Sequence, residues 1–207
     1  MHKNKLKVCG ITNHKQLLQL DEVGLDYLGF IFHHDSKRHL GEYELKKLST
    51  PTKATKVLVT VDEDANTVKR LADALGTKTI QLHGEESPEV CSAYRKEGYI
   101  VFKAFGIDEG FHFEAISKYV GNVDYFLFDY KGDKAGGNGI QFDWKILDFY
   151  TYDVPFFLSG GINNKHASEI NELNHSQLFG IDVNSGFEIT PGIKNVLLIT
   201  SFSKELS

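Results

Sequence analysis

The stretch "LKVCGIT" (6–12) sets a lone cysteine, Cys9, between a short apolar run and a glycine. A thiol in that position is a small apolar filler, half of a disulfide, a metal ligand or a working acid–base group. Asp129 raises a similar question, because it follows four bulky residues in "YFLFD" (125–129). It reads either as a helix cap or solvated loop carboxylate, or as an acid whose pKa is raised by exclusion of water and which can donate a proton. Cys91 falls inside an amphipathic pattern and reads as a packed core thiol. Two cysteines in 207 residues make a poor disulfide framework and suit a reducing, cytoplasmic setting.

Other side chains offer binding rather than proton transfer. Arg38, in "SKR" (36–38), is a surface arginine or a planar fork for a carboxylate. His83, in "QLHGE" (81–85), is a catalytic group or a hydrogen-bonded structural histidine. His33, His34, Asp35 and His39 crowd one segment, but their spacing matches no metal-ligand motif and reads as a solvated loop. Three glycine-rich stretches, "GGNG" (136–139), "SGG" (159–161) and "NSG" (184–186), make tight turns or free backbone N–H groups for an anion.

Eight short runs must position these groups: 6–11, 27–32, 56–61, 79–84, 101–105, 125–129, 155–160 and 178–183. Most are nearly continuous in apolar residues, as expected of strands covered on both faces. Helical spacing fills the intervals. Val68, Leu71, Ala72 and Leu75 share a face before the stop at Gly76, and Ser87-Pro88 opens a helix that ends at Gly98. Ala167, Ile170 and Leu173 follow a cap at Asn163 or Asn164, while Leu17, Leu20 and Val23 mark a helix after the first strand. The stretches 42–49 and 111–119 show less regular helical spacing.

Eight strands alternating with roughly eight helices give parallel βα units with right-handed crossovers. They close either as an open doubly wound sheet or as a barrel, and the count of eight favours the α/β (β/α)8 TIM barrel, one domain over 1–207 with short loops. The barrel rule puts chemistry at the C-terminal strand ends, which gathers Cys9, Arg38, Asp62, His83, Asp129 and Asp182. Phosphate belongs at the loops after strands seven and eight, where 159–161 and 184–186 fall.

The composition is 41% hydrophobic and 25% charged, with net charge −5, so no broad surface for nucleic acid or anionic membrane is expected. No run of about 18 apolar residues forms a spanning helix. The basic start "MHKNKLKVCG" lacks the apolar stretch of a secretory signal.

Taken in order, "KVCGIT" (7–12), "GFIF…SKR" (29–38), "QLHGEE" (81–86), "GGNGIQFDW" (136–144), "LSGGIN" (158–163) and "DVNSGFE…PGIKN" (182–195) resemble the phosphoribosylanthranilate isomerase family of tryptophan biosynthesis. The resemblance implies an Amadori rearrangement of N-(5-phosphoribosyl)anthranilate with no metal and no cofactor. It also implies that Cys9 is the general base, Asp129 the general acid and Arg38 the holder of the anthranilate carboxylate. The loops at Gly160–Gly161 and Ser185–Gly186 would cradle phosphate, and His83, Gly137 and Asp182 would complete the substrate-binding set. The implied partner is a small phosphorylated substrate, with no nucleic acid and no membrane, on a monomer or homodimer.

Five positions depart from the family pattern: Asp62 for a frequent asparagine, Ile140 for a common lysine, Asn184 for a common serine, and His33-His34 for a usual tyrosine-proline. Asp62 is expected to alter substrate-side contacts and Asn184 to bind phosphate oxygens by its amide. "YKGDKAGGNG" (130–139) combines length, charge and glycine hinges and is expected to close over substrate. Two rivals remain: a metal-dependent pentulose-phosphate epimerase, which a chelator test separates, and a phosphate-binding barrel without catalysis, which a turnover assay separates.

Overall fold

The first strand already shows how the interior is assigned. In β1 (Lys5–Cys9) the alternation of side chains sends Leu6 and Val8 outward into the main apolar core, and Lys7 and Cys9 into the barrel. The computed structural model describes residues 4–130 and 143–206. Gly137, Ile140 and positions 131–139 of the expected closing loop lie outside them.

The remaining strands are β2 (Tyr27–Phe32), β3 (Thr55–Thr60), β4 (Thr79–Leu82), β5 (Ile100–Ile107), β6 (Tyr125–Tyr130), β7 (Phe156–Leu158) and β8 (Leu178–Val183). They pair in parallel in sequence order, and β8 returns to β1 through Lys5↔Gly180 to Val8↔Val183, closing a barrel. The TIM-barrel expectation therefore holds. Helices on the outside bury the outward apolar rows.

Local signals set the helix ends. In α1 (His14–Val23) the Asn13 side chain accepts from the Gln16 N–H, and Gly24 ends the helix in the left-handed conformation. After α2 (Glu42–Lys47), Asp64 caps α3 (Ala65–Leu75) and Gly76 stops it, while Ser87 and Pro88 start α4 (Pro88–Lys96). Each such cap contributes about 1 kcal/mol.

The expectation of roughly eight helices needs correction: the described residues hold six α-helices, and 3-10 turns replace the others. Phe113–Tyr119 and Trp144–Phe149 follow β5 and β6 as 3-10 turns. The reason lies in their spacing. Phe113, Ile116 and Tyr119, and likewise Trp144 and Leu147, are buried every third residue, which matches three residues per turn rather than 3.6. The 163–174 segment divides into a 3-10 turn, Asn164–His166, and α5 (Ala167–Glu172), with Asn163 as the cap. After β8 a 3-10 turn, Ser185–Phe187, leads to the hairpin β9 (Glu188–Thr190) and β10 (Ile193–Lys194), then α6 (Val196–Glu205).

Inside the barrel Phe102, Phe157, Tyr27, Tyr125 and Phe179 pack edge-to-face and tilted, with centroids such as Phe102–Tyr125 at 4.7 Å. A register shift between β7 and β8 pairs Phe157 with Gly180 and leaves Phe179 inside this cluster. Each buried phenylalanine contributes roughly 2–3 kcal/mol. Lys7, Gln81 and Asp182 also lie out of solvent in the barrel, at or below the level of the strand ends. The aromatic cluster thus leaves no aqueous channel, and charges near it interact more strongly than in water.

Candidate active site

Lys7 and Cys9 share the interior face of β1 because they are two residues apart on a strand. The Lys7 ammonium donates to Asp182 Oδ1 at 2.8 Å. Burial alone lowers the Lys7 pKa, but Asp182 and Cys9 outweigh it and raise it, so Lys7 stays charged. Burial, with the Asp182 carboxylate adding to it, raises the pKa of the Cys9 thiol, and Lys7 and, more weakly, Lys194 offset only part of this. Burial likewise raises Asp182 against the pull of Lys7. Water is excluded from the thiol, and the fixed Lys7 cation is the neighbour that most favours its thiolate form.

Asp129 is the last residue but one of β6, and its Oδ1 accepts the Tyr130 N–H at 2.9 Å. Burial raises its pKa, the direction that suits a proton donor. Oδ2 lies 3.7 Å from His83 Nε2. Burial, with Lys103 and Lys7 adding to it, lowers His83 to about 4, so the ring is neutral near pH 7. Gln81 Nε2 lies 2.9 Å from His83 Nδ1; as the donor there, it leaves the ring proton on Nε2, facing Asp129. Gly160 makes this corner possible. Its φ is +89°, and a Cβ there would stand 2.5 Å from the Tyr130 nitrogen and 3.2 Å from Asp129 Oδ1.

Arg38 is held by Glu188. Its Nε donates to Oε1 at 3.0 Å and to Oε2 at 3.2 Å, and its Nη2 donates to Oε2. Glu188 Oε1 also accepts Lys194 Nζ at 2.7 Å and the Gly192 N–H at 3.0 Å. Burial opposes ionisation of Glu188, but the bonds from Arg38 and Lys194 prevail and lower its pKa. Arg38 and Asn184 close over Gly10, whose missing Cβ would lie 2.8 Å from Asn184 Oδ1 and 3.1 Å from Arg38 Cδ. Gly10 follows Cys9 directly, and the charge of Cys9 is among the causes that raise the Arg38 pKa, after the Glu188 bond.

Loop clamps fix the rest. Lys103 donates to the carbonyls of Gly84 at 2.6 Å and Ala104 at 3.0 Å and pairs with Glu86 at 3.2 Å. Glu86 in turn accepts the N–H groups of Asp62 and Gly84, which ties the loops after β3 and β4 together. A cleft of about 330 Å³ opens beside His83, lined by Lys103, Phe105, Phe111 and Tyr119.

Of the expected site residues, Cys9, Arg38, His83, Asp129, Asp182, Gly160, Gly161, Ser185 and Gly186 fall at the C-terminal strand ends, while Gly137 lies outside the described residues. Gly186 backs onto the Ile162 carbonyl, so the loops after β7 and β8 touch. The N–H groups of Gly161, Ser185 and Gly186 donate to no partner among the described residues.

Two of the departures make contacts within the protein. Asp62 adopts φ +51° and its Oδ1 accepts the Glu85 N–H at 2.6 Å, so its carboxylate serves the turn. Asparagine and aspartate both tolerate that conformation. Asn184 Oδ1 accepts Lys194 Nζ at 2.6 Å on the Arg38 side. In the His33–His39 loop, the His39 ring stacks on His34 at 4.6 Å and its Nδ1 accepts the His33 N–H. Among the described residues no three His, Cys, Asp or Glu side chains gather as metal ligands.

The sequence reading gave no role to Lys7, Gln81, Glu188 or Lys194. The first was accessible from period two, since a lysine two before a strand-end cysteine shares its face. Glu188 and Lys194 meet across the Pro191-Gly192 turn, a pairing that requires the hairpin register.

The chain is 37% identical over 97% of its length to the N-(5'-phosphoribosyl)anthranilate isomerase of Parabacteroides distasonis, covering 92% of that protein. The phosphoribosyl anthranilate isomerase of Thermotoga maritima superposes with a TM-score of 0.81 at 32% identity, over 98% of each chain. A phosphoribosyl anthranilate isomerase solved in complex with reduced 1-(o-carboxyphenylamino)-1-deoxyribulose 5-phosphate superposes with a TM-score of 0.78 at 30% identity, over 98% of this chain and 97% of that one. Residues 6–205 match the family model described as N-(5'phosphoribosyl)anthranilate (PRA) isomerase, and the chain belongs to that family.

Proposed function

We propose that the chain converts N-(5-phosphoribosyl)anthranilate to 1-(2-carboxyphenylamino)-1-deoxyribulose 5-phosphate, an Amadori rearrangement of tryptophan biosynthesis. The observation that carries the assignment is a thiol and a carboxyl group at strand ends of one barrel mouth. Burial raises the pKa of both Cys9 and Asp129, and the Lys7 ammonium acts on both.

Asp129 donates to the ribose ring oxygen, the C1′–O bond breaks, and the furanose opens to a protonated Schiff base. That iminium acidifies the C2′ proton. Cys9, as thiolate, removes it, and the electron pair flows to nitrogen to give an enolamine, which tautomerises to the ketone. The positive iminium beside Cys9 adds to the field of Lys7 and favours the thiolate at the moment it is needed. The neutral His83 turns its Nε2–H toward the Asp129 carboxylate left after proton donation.

Arg38 takes the anthranilate carboxylate, and the N–H groups of Gly161, Ser185 and Gly186 take the phosphate. The rigid strand ends keep acid and base apart on the two sides of the sugar. The test follows anthranilate fluorescence after phosphoribosylanthranilate is formed in situ, with purified protein and excess chelator. Enzyme-dependent loss of substrate signal in chelator is expected. Decay no faster than the spontaneous rate, from folded protein, overturns the reading.

A further inference from the structure

Arg38, Glu188 and Lys194 form a cluster with two cations and one carboxylate. Their side chains are 10%, 4% and 0% exposed, so the surplus positive charge is held largely out of water. An unmatched buried charge is unfavourable unless an anion completes it.

The guanidinium has two hydrogen-bonding edges, one formed by Nε and Nη2 and the other by Nη1 and Nη2. Glu188 occupies the first: its oxygens take Nε and Nη2, while Oε1 is fixed from behind by Lys194 and the Gly192 N–H. Lys194 also takes Asn184 Oδ1, and Asn184 and Arg38 both press on Gly10 beside the thiol. The arginine cannot turn its first edge to a ligand without breaking a bidentate pair.

We propose that Glu188 is a positioning residue that reserves the Nη1–Nη2 edge of Arg38 for a planar aryl carboxylate, and so sets the preference for a carboxylated arylamine over a plain one. The proposal rests on the isomerase reading and adds the residue that enforces selectivity. A carboxylate supplies two coplanar oxygens to that edge and neutralises the surplus charge.

The test compares two inert ligands by calorimetry: 1-(2-carboxyphenylamino)-1-deoxyribitol 5-phosphate and its phenylamino counterpart without the carboxyl group. Wild-type protein is expected to prefer the first. Glu188→Gln is expected to lose roughly ten-fold in affinity for the carboxylated ligand, the scale of a charged hydrogen bond, with the plain ligand unchanged. Equal weakening of both ligands, or no weakening of either, overturns the proposal. If Glu188→Gln does not fold, Glu188→Asp, too short to reach Arg38 and Lys194 together, must show the same selective loss, and equal effects there also overturn it. Wild-type turnover without any carboxylate preference removes the proposal and leaves the isomerase reading standing. Absence of turnover and of binding to both ligands removes both.

Discussion

Lys7 and Asp182 meet at 2.8 Å across the β1–β8 pairing that closes the barrel, and both side chains are almost entirely shut off from solvent. Cys9 shares the Lys7 face, so a single ammonium acts on both the Asp182 carboxylate and the thiol proposed as the base. The ion pair across the barrel closure and the proposed chemistry thus share one cation.

Replacing Lys7 by methionine separates the two roles. Asp182 is left buried and unpaired, which costs about 3–5 kcal/mol. The thiol loses its nearest stabilising charge, so the pH midpoint of its alkylation moves up. Adding Asp182→Leu removes the orphaned charge and is expected to recover most of the stability. Denaturant melts and iodoacetamide rates across pH measure both effects; an unmoved alkylation midpoint in Lys7→Met denies Lys7 any action on Cys9.

The acid and base are expected to fail differently. Cys9→Ser should lower turnover roughly 10²- to 10⁴-fold at every pH, because a hydroxyl is far harder to deprotonate. Asp129 must be protonated to act, so wild-type activity declines as pH rises through its raised pKa. Asp129→Asn lowers turnover and abolishes that alkaline decline. A pH–rate profile of each variant checks this, and an unaltered alkaline limb in Asp129→Asn would pass the acid role to another group.

How much of this was legible from the sequence follows from which interactions are local. The strands and capped helices were readable because their signals, such as Asn163, Ser87-Pro88 and Gly76, act within a few residues. The 3-10 turns were not recognised as such, although Phe113, Ile116 and Tyr119 carry the three-residue period. Cys9, Asp129 and Arg38 were singled out because the barrel rule marks strand ends. The partners Asp182 for Lys7 and Glu188 for Arg38 are 175 and 150 residues away, so only the closed sheet defines them. The contact of Asn184 Oδ1 with Lys194 was not legible, because only the hairpin brings the two together.

Gly160 and Gly98 have similar φ values, +89° and +83°, but different neighbours. A Cβ at Gly98 meets nothing within 4 Å, whereas at Gly160 it meets the Tyr130 backbone and Asp129. Gly98→Ala should therefore cost only the left-handed strain, about 1–2 kcal/mol. Gly160→Ala should cost more and also displace Asp129, lowering turnover. Thermal melts and rates for the two variants check the difference; equal losses would make backbone strain the whole effect.

His83 gives a pH test of stability with a definite sign. Its folded pKa is about 4 against an unfolded value near 6.5, because burial, Lys103 and Lys7 disfavour the imidazolium. Between those values the unfolded chain binds a proton that the native state refuses, so stability falls as pH drops from about 6.5 to about 4. Asp129 pulls the other way: its raised pKa contributes stability at low pH that is lost as pH rises through the folded value. His83→Gln removes only the histidine contribution, so its stability should fall less than that of wild type over that acid window. Urea melts at intervals from pH 7 to 4 measure the slope. Parallel wild-type and His83→Gln curves would mean that the ring accepts its proton in the folded protein as readily as in the unfolded one.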